Sequence, residues 1–182
     1  KSVYGTLAQL GLNKTTQYVV SYNGGAIVAI APDGQEEIVV EHGMSLTLAQ
    51  KIFDLGQVND VVDTHVYTRD NLYIYNISAT DQRYMTERQV PYTEITTTDL
   101  SFMANEGPVM KVIFEHPDPA VQQVIADAVT AVVGDEVLVT FSSNRYVEFN
   151  PKGVDKGVTG LELADILGIA HDDTAAIGDN LN

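Results

Sequence analysis

A short apolar run, Thr174 to Ile177, stops abruptly at Gly178-Asp179-Asn180. In open α/β sheets, ligands gather beyond the carboxyl ends of the strands, where a carboxylate can meet a metal ion or a phosphate without being buried. Asp179 is therefore a candidate ligand-site carboxylate. Lys156 is the second candidate. It follows Asp155, a plausible N-cap, and so falls in the first turn of a helix, where the macrodipole disfavours a cation by a few tenths of a kcal/mol or more. The ammonium and the free amides of that turn would together suit a phosphate held near Asp179. A solvated surface lysine fits the same residues, and the sequence leaves both readings open. Asn23-Gly24-Gly25 is a strong turn signal.

Other polar residues have simpler explanations. His42, His65, His116 and His171 lack a ligand pair at helical spacing and are expected on the surface or in packing. His171-Asp172-Asp173 imitates a metal site but is read as an acidic loop before a strand. Tyr67, Tyr73 and Tyr75 are explained by sheet packing. Ser21 has no Gly-x-Ser-x-Gly elbow around it, which argues against a serine hydrolase.

The composition narrows the classes. A net charge of -15 over 182 residues repels nucleic acid and anionic membrane surfaces, so neither is an expected partner. Without cysteine there is no disulfide, thiolate metal site or thiol nucleophile, which is compatible with a cytoplasmic location. The longest apolar stretches, such as Ala26 to Ala31, are far below the roughly 20 residues of a membrane helix.

The elements that must position these candidates follow from periodicity. Val3 to Leu12 reads as helix ended by Gly11, Tyr18 to Tyr22 and Ala26 to Ile30 as strands across the Asn23 turn, and Glu37 to Glu41 as a third strand. Ser45 caps a helix with Leu46, Ala49, Ile52, Phe53 and Leu55 inward and Gly56 as its stop. Val61 to Tyr67 and Leu72 to Tyr75 form a hairpin, and residues 79–90 a helix. Met110 to Glu115 is a strand. Pro117 to Val133 is a helix with Val121, Val124, Ile125, Ala128 and Val132 on its core face. Glu136 to Ser142 and Arg145 to Phe149 make a last hairpin. Between about 43 and 150 this is an α+β module, an antiparallel sheet with its helices on one face. Pro151 to Val154 is a connector to a helix with core face Val158, Leu161, Ile166 and Leu167, ended by Gly168 with Ile169 as its apolar partner, and then a buried strand from Thr174 to Ile177. The outer residues, 1–42 and 151–182, thus read as one α/β domain with 43–150 inserted.

Three blocks carry a resemblance: Tyr18-Val-Val-Ser-Tyr-Asn-Gly-Gly-Ala-Ile-Val28, Phe149-Asn-Pro-Lys-Gly-Val-Asp-Lys-Gly157 and Ile177-Gly-Asp-Asn-Leu-Asn182. In order and spacing they resemble the Cof-type phosphatases of the haloacid dehalogenase superfamily. That resemblance implies a Rossmann-like core with a large cap inserted after the Asn-Gly block and returning at the Pro-Lys-Gly block. It implies hydrolysis of small phosphorylated metabolites, such as sugar phosphates, through an aspartyl-phosphate, with Mg²⁺ screening the charges. By motif, Asp179 would bind Mg²⁺, Lys156 would hold the transferring phosphoryl group, and Asn182 would donate a hydrogen bond to it. Asn23 would lie nearby, and Asn180 would shape the loop.

One departure is plain. No Asp-x-Asp occurs in the 182 residues, so the family's nucleophile and its acid/base partner are not among them. The sequence is therefore expected to be a piece of a larger enzyme, inactive and poorly stable in its core part, with a cap able to fold alone. The alternative is a non-catalytic cap module that binds a ligand or partner.

Overall fold

The computed structural model describes residues 3–59 and 62–177. In chain order, Val3–Gln9 (α1) precedes three strands, Gln17–Ser21 (β1), Ala26–Ile30 (β2) and Glu36–Glu41 (β3). Then come Leu46–Gly56 (α2), Asp63–Tyr67 (β4), Leu72–Tyr75 (β5), Ala79–Arg88 (α3) and Thr93–Ile95 (β6). Lys111–Glu115 (β7), Pro119–Val133 (α4), Val137–Ser142 (β8), Tyr146–Pro151 (β9) and Lys156–Leu167 (α5) complete the order. The chain divides into two compact units, one of 43–152 and one of the residues up to His42 together with those from Gly153 onward.

In the second of these units, β1, β2 and β3 form an antiparallel sheet in that order. Every residue of the central strand β2 is buried, as expected for the continuous apolar run Ala26-Ile-Val-Ala-Ile30. The helix α5 is capped as anticipated, by Asp155 at its start and by Gly168 in the left-handed conformation at its end, where the Ile169 amide donates to Ala164. Its buried face is not the anticipated one. Val158, Leu161, Ile166 and Leu167 are exposed, whereas Thr159 and Ala164 are buried. At Thr159 the 22–25 turn approaches closely, which favours a small residue there over a large apolar one. The expected strand from Thr174 to Ile177 does not form. A parallel strand takes all its ladder bonds from a neighbour, and among the described residues no strand pairs with it.

The 43–152 unit is a six-stranded sheet in the order β6-β5-β4-β7-β9-β8, antiparallel except for the β5–β6 pair. The short edge strand β6, three residues just past Pro91, carries too little periodicity to be read from the sequence. Strand alternation sends Val66, Val112, Phe114, Val147 and Phe149 to one face, where Ile52 and Phe53 of α2 and Ile125, Val129 and Val133 of α4 close the core. The expected core face of α4 is turned by one residue: Val124 and Val132 are exposed, while Gln122, Ala126, Val129 and Val133 are buried. Two interactions favour this turn. Ala126 packs in the core, and the Gln122 amide donates to the carbonyls of His116, just past β7, and of Asn144, in the β8–β9 turn. Helices on one face describes α2 and α4. The third helix, α3, packs Met85 on Leu72 and Ile74, whose register places them on the opposite face.

Gly56 marks the tightest helix–sheet contact, because a Cβ there would meet the ring of the fully buried Phe114. Gly56→Ala should therefore destabilise the protein by about 1–3 kcal/mol through overpacking, outweighing the gain of up to about 1 kcal/mol in helix propensity. Urea unfolding checks this, and an unchanged or raised midpoint would contradict it.

Candidate functional site

The loop joining β1 to β2 holds three consecutive residues at positive φ: Tyr22 at 52°, Asn23 at 58° and Gly24 at 109°. For a bulky aromatic residue this region is strained, and such strain persists only where surrounding contacts impose it. Those contacts are present. The Thr159 hydroxyl of α5 donates to the Gly24 carbonyl at 2.8 Å, the His42 amide donates to the Gly25 carbonyl at 2.7 Å, and the Gly25 amide donates back to Tyr22 at 3.0 Å. A Cβ on Gly24 would stand 2.5 Å from the backbone of Asp155. Position 24 therefore excludes any side chain on both torsional and steric grounds.

This contact sets the turn that contains Asn23 against the start of α5, whose first residue is Lys156; both are anticipated positions. Lys156 is exposed, and Asn23 is half-buried. Asp179 and Asn182 lie outside the described residues, as does Asn180. One part of the anticipated anion site is corrected. The amides of the first turn do not stand open, because the Asp155 carboxylate accepts from Gly157 at 2.7 Å and from Val158 at 2.8 Å. An anion at these amides would meet that carboxylate, so Lys156 would have to hold a phosphate through its own ammonium.

A second constellation was not anticipated. On the sheet face covered by α3, Asp63 and His65 stand two residues apart on β4, Glu115 pairs with Asp63 across the sheet, and Tyr146 pairs with Glu115. From α3, Asp81 reaches His65. The His65 Nε2 lies 2.6 Å from Asp81 Oδ2 and 3.2 Å from Asp63 Oδ1. Asp81 Oδ1 accepts from the Tyr146 hydroxyl at 2.6 Å and from Arg145 at 2.9 Å. The Arg145 guanidinium lies over the rings of Tyr84 and Tyr146.

Burial opposes the ionised form of Asp81, but His65, Tyr146 and Arg145 outweigh it and hold this carboxyl below the usual range. Burial likewise works against a charged His65, yet Asp63 and Asp81 prevail and raise its pKa. Glu115 is raised by burial and then by the charges of Asp63 and Asp81. Tyr146 is pushed well above its ordinary value by burial and by Asp81. The signal for this cluster was legible in part, since the period of a strand places Asp63 and His65 on one face. A search for histidine pairs at helical spacing passes over it, and nothing local announces Asp81.

A family model of haloacid dehalogenase-like hydrolases matches residues 2–182, so the chain belongs to that family. The Cof-type resemblance of the three sequence blocks stands with it. M6_Spy0533 of Streptococcus pyogenes serotype M6, whose name gives it as a candidate phosphatase, is 29% identical over 186 residues; the match takes in 99% of this chain and 64% of that protein. The chain thus spans just under two thirds of this curated relative. Among solved structures, a haloacid dehalogenase-like hydrolase from Bacteroides thetaiotaomicron superposes with a TM-score of 0.72 at 19% identity, covering 97% of this chain and 64% of the other. The subclass IIB sugar phosphatase BT4131 superposes with a TM-score of 0.70 at 10% identity, covering 94% and 59%. At these identities the structural likeness speaks for the fold.

If the Gly24 turn is held by α5 as described, Thr159→Val should leave the buried Gly24 carbonyl without its hydroxyl donor and cost about 1–3 kcal/mol. Chemical denaturation followed by circular dichroism measures this; a variant as stable as the parent would show that the contact does not hold the turn.

Proposed function

We propose that these residues belong to a Mg²⁺-dependent phosphoric monoester hydrolase acting on small phosphorylated metabolites, sugar phosphates among them. The observation that supports this most directly is the Gly24 contact, because it packs the first family block against the start of the helix that carries the second. In this reading, 1–42 and 151–182 supply part of a core, and 43–150 is the cap.

Within that core Lys156 would hold the transferring phosphoryl group, as the only ammonium in the Pro-Lys-Gly block that lies on α5. Its exposure leaves the ammonium available, and the capping by Asp155 fixes the helix start from which it projects. Asn23, held in the left-handed conformation, would present its side chain near that group, and Asn182 would donate a hydrogen bond to it. Asp179 would hold Mg²⁺, since a carboxylate oxygen is the donor that this hard cation prefers. When bound, Mg²⁺ would screen the repulsion between carboxylates and the phosphoryl oxygens. Attack on phosphorus would fall to an Asp-x-Asp aspartate, and the 182 residues contain none. That same fact favours one other reading, a non-catalytic module in which the cap binds a ligand or a partner.

The net charge of -15 supports a small-molecule substrate over nucleic acid or an anionic membrane. Among the described residues no helix is long and apolar enough to cross a membrane.

Two outcomes are expected. This chain alone should release no phosphate from sugar phosphates in the presence of Mg²⁺. In a protein that carries an Asp-x-Asp segment ahead of these residues, Lys156→Ala should lower kcat/KM by about a hundredfold or more, through loss of contacts made in the transition state. Steady-state phosphate release measures both. Undiminished turnover in the Lys156 variant would remove that residue from the site, and absence of an Asp-x-Asp from the natural protein would favour the binding module.

A further inference from the structure

The cluster beneath α3 contains none of the three family blocks' candidate residues, and its atoms are arranged for more than an ion pair. His65 is 1% exposed, and Asp63 and Asp81 are fully buried. The Nε2 of His65 stands at ion-pair distance from Oδ1 of Asp63 and Oδ2 of Asp81, yet none of the three atoms makes a hydrogen bond among the described residues. The attraction between His65 and the two carboxylates offsets part of their burial cost, and the missing hydrogen bonds leave all three atoms able to take a common further partner. The remaining oxygen of each carboxylate is already held by the scaffold. Asp63 Oδ2 accepts from the Ser78 amide at 2.9 Å, and Asp81 Oδ1 takes Tyr146 and Arg145. Each carboxylate therefore spends one oxygen on the fold and turns the other toward His65, the arrangement by which outer partners orient metal ligands.

We infer that Asp63, His65 and Asp81 form a divalent metal site, of the one-nitrogen, two-oxygen type that suits Zn²⁺, pinning α3 to strand β4. The three ligand atoms lie within 4.8 Å of one another. Ligand bonds to Zn²⁺ of about 2.0–2.2 Å place neighbouring ligand atoms roughly 3.0–3.4 Å apart. The His65–Asp63 separation of 3.2 Å already lies in that range, and the 2.6 Å contact with Asp81 has only to open by about half an ångström. The two aspartates and Arg145 carry a net charge of -1, which the imidazolium that Asp63 and Asp81 favour offsets without metal and which a dication would offset on displacing the His65 proton. Because the ligands come from β4 and from α3, the ion would stabilise the fold in proportion to its affinity.

This site is independent of the phosphatase reading, and its test is read without activity. Tag-free protein is gel-filtered with Zn²⁺ in excess Mg²⁺, which suppresses binding at sites built from oxygen alone, and retained metal is quantified against protein. Stoichiometric retention is expected, with a rise in melting temperature. Tyr146→Phe, which removes an orienting bond while keeping the ring, should weaken affinity about tenfold or more. His65→Ala should abolish retention, whereas His42→Ala and His171→Ala should keep it, since those histidines pair with Glu162 and Asp165 elsewhere. Should His65→Ala fail to fold, the imidazole ¹⁵N resonances of the parent protein decide: a Zn²⁺-induced shift at His65 Nε2 supports the site, and an unmoved Nε2 overturns it. Retention lost only in the His42 or His171 variants would also overturn it.

Discussion

The unit formed by the two ends of the chain depends on one close approach, the backbone of Gly24 against the backbone of Asp155. No side chain fits between them, and the Thr159 hydroxyl closes the contact from the helix side. From this follow the left-handed torsions at Tyr22 and Asn23, the choice of a small buried residue at Thr159 on α5, and the placement of the turn that contains Asn23 against the start of the helix at Lys156. Residues separated by more than a hundred positions are thereby fixed in one geometry. The same contact explains why a turn motif that is common on its own acquires meaning in company with the Pro-Lys-Gly block.

The 43–152 unit solves a different problem. One face of its sheet is an ordinary apolar core, with the Phe114 and Phe149 rings edge to face and α2 and α4 above them. The other face carries Asp63, His65, Glu115 and Tyr146, all buried beneath or beside α3. Buried charges persist only when their partners are well placed. Arg145, stacked on Tyr84 and Tyr146, supplies one such partner. The sheet is thus held by burial on one side and by a polar network on the other, and α3 is the helix whose position depends on that network.

Local signals carried most of the element reading. Ser45, Asp155 and Gly168 act as the caps their types suggest, and the hairpins at 68–71 and 143–144 lie where the strands predict them. What the sequence hid is tertiary. The rotation of α4 toward Gln122 and Ala126 depends on the carbonyls of His116 and Asn144, and the shallow face of α5 depends on Gly24. The strand expected at Thr174 was read from an apolar run alone, and a run does not supply a pairing neighbour. Of the candidate site, what was legible is local: turn chemistry marks the loop at Asn23 and cap chemistry the helix start at Lys156. The apparent openness of the α5 amides was misleading, since Asp155, recognised as the cap, is the group that closes them. His65 escaped because its partners come from a sheet face and another helix.

The proposed function is phosphoryl transfer at a site to which Asp179 would contribute a carboxylate for Mg²⁺. The most direct test is phosphate release from sugar phosphates by a chain with an Asp-x-Asp segment ahead of these residues, measured with and without Mg²⁺, for the parent and for Asp179→Asn. Release that requires Mg²⁺ and falls by about a hundredfold or more in the variant is the predicted result. Release that is indifferent to Mg²⁺, or equal in the two proteins, would contradict it.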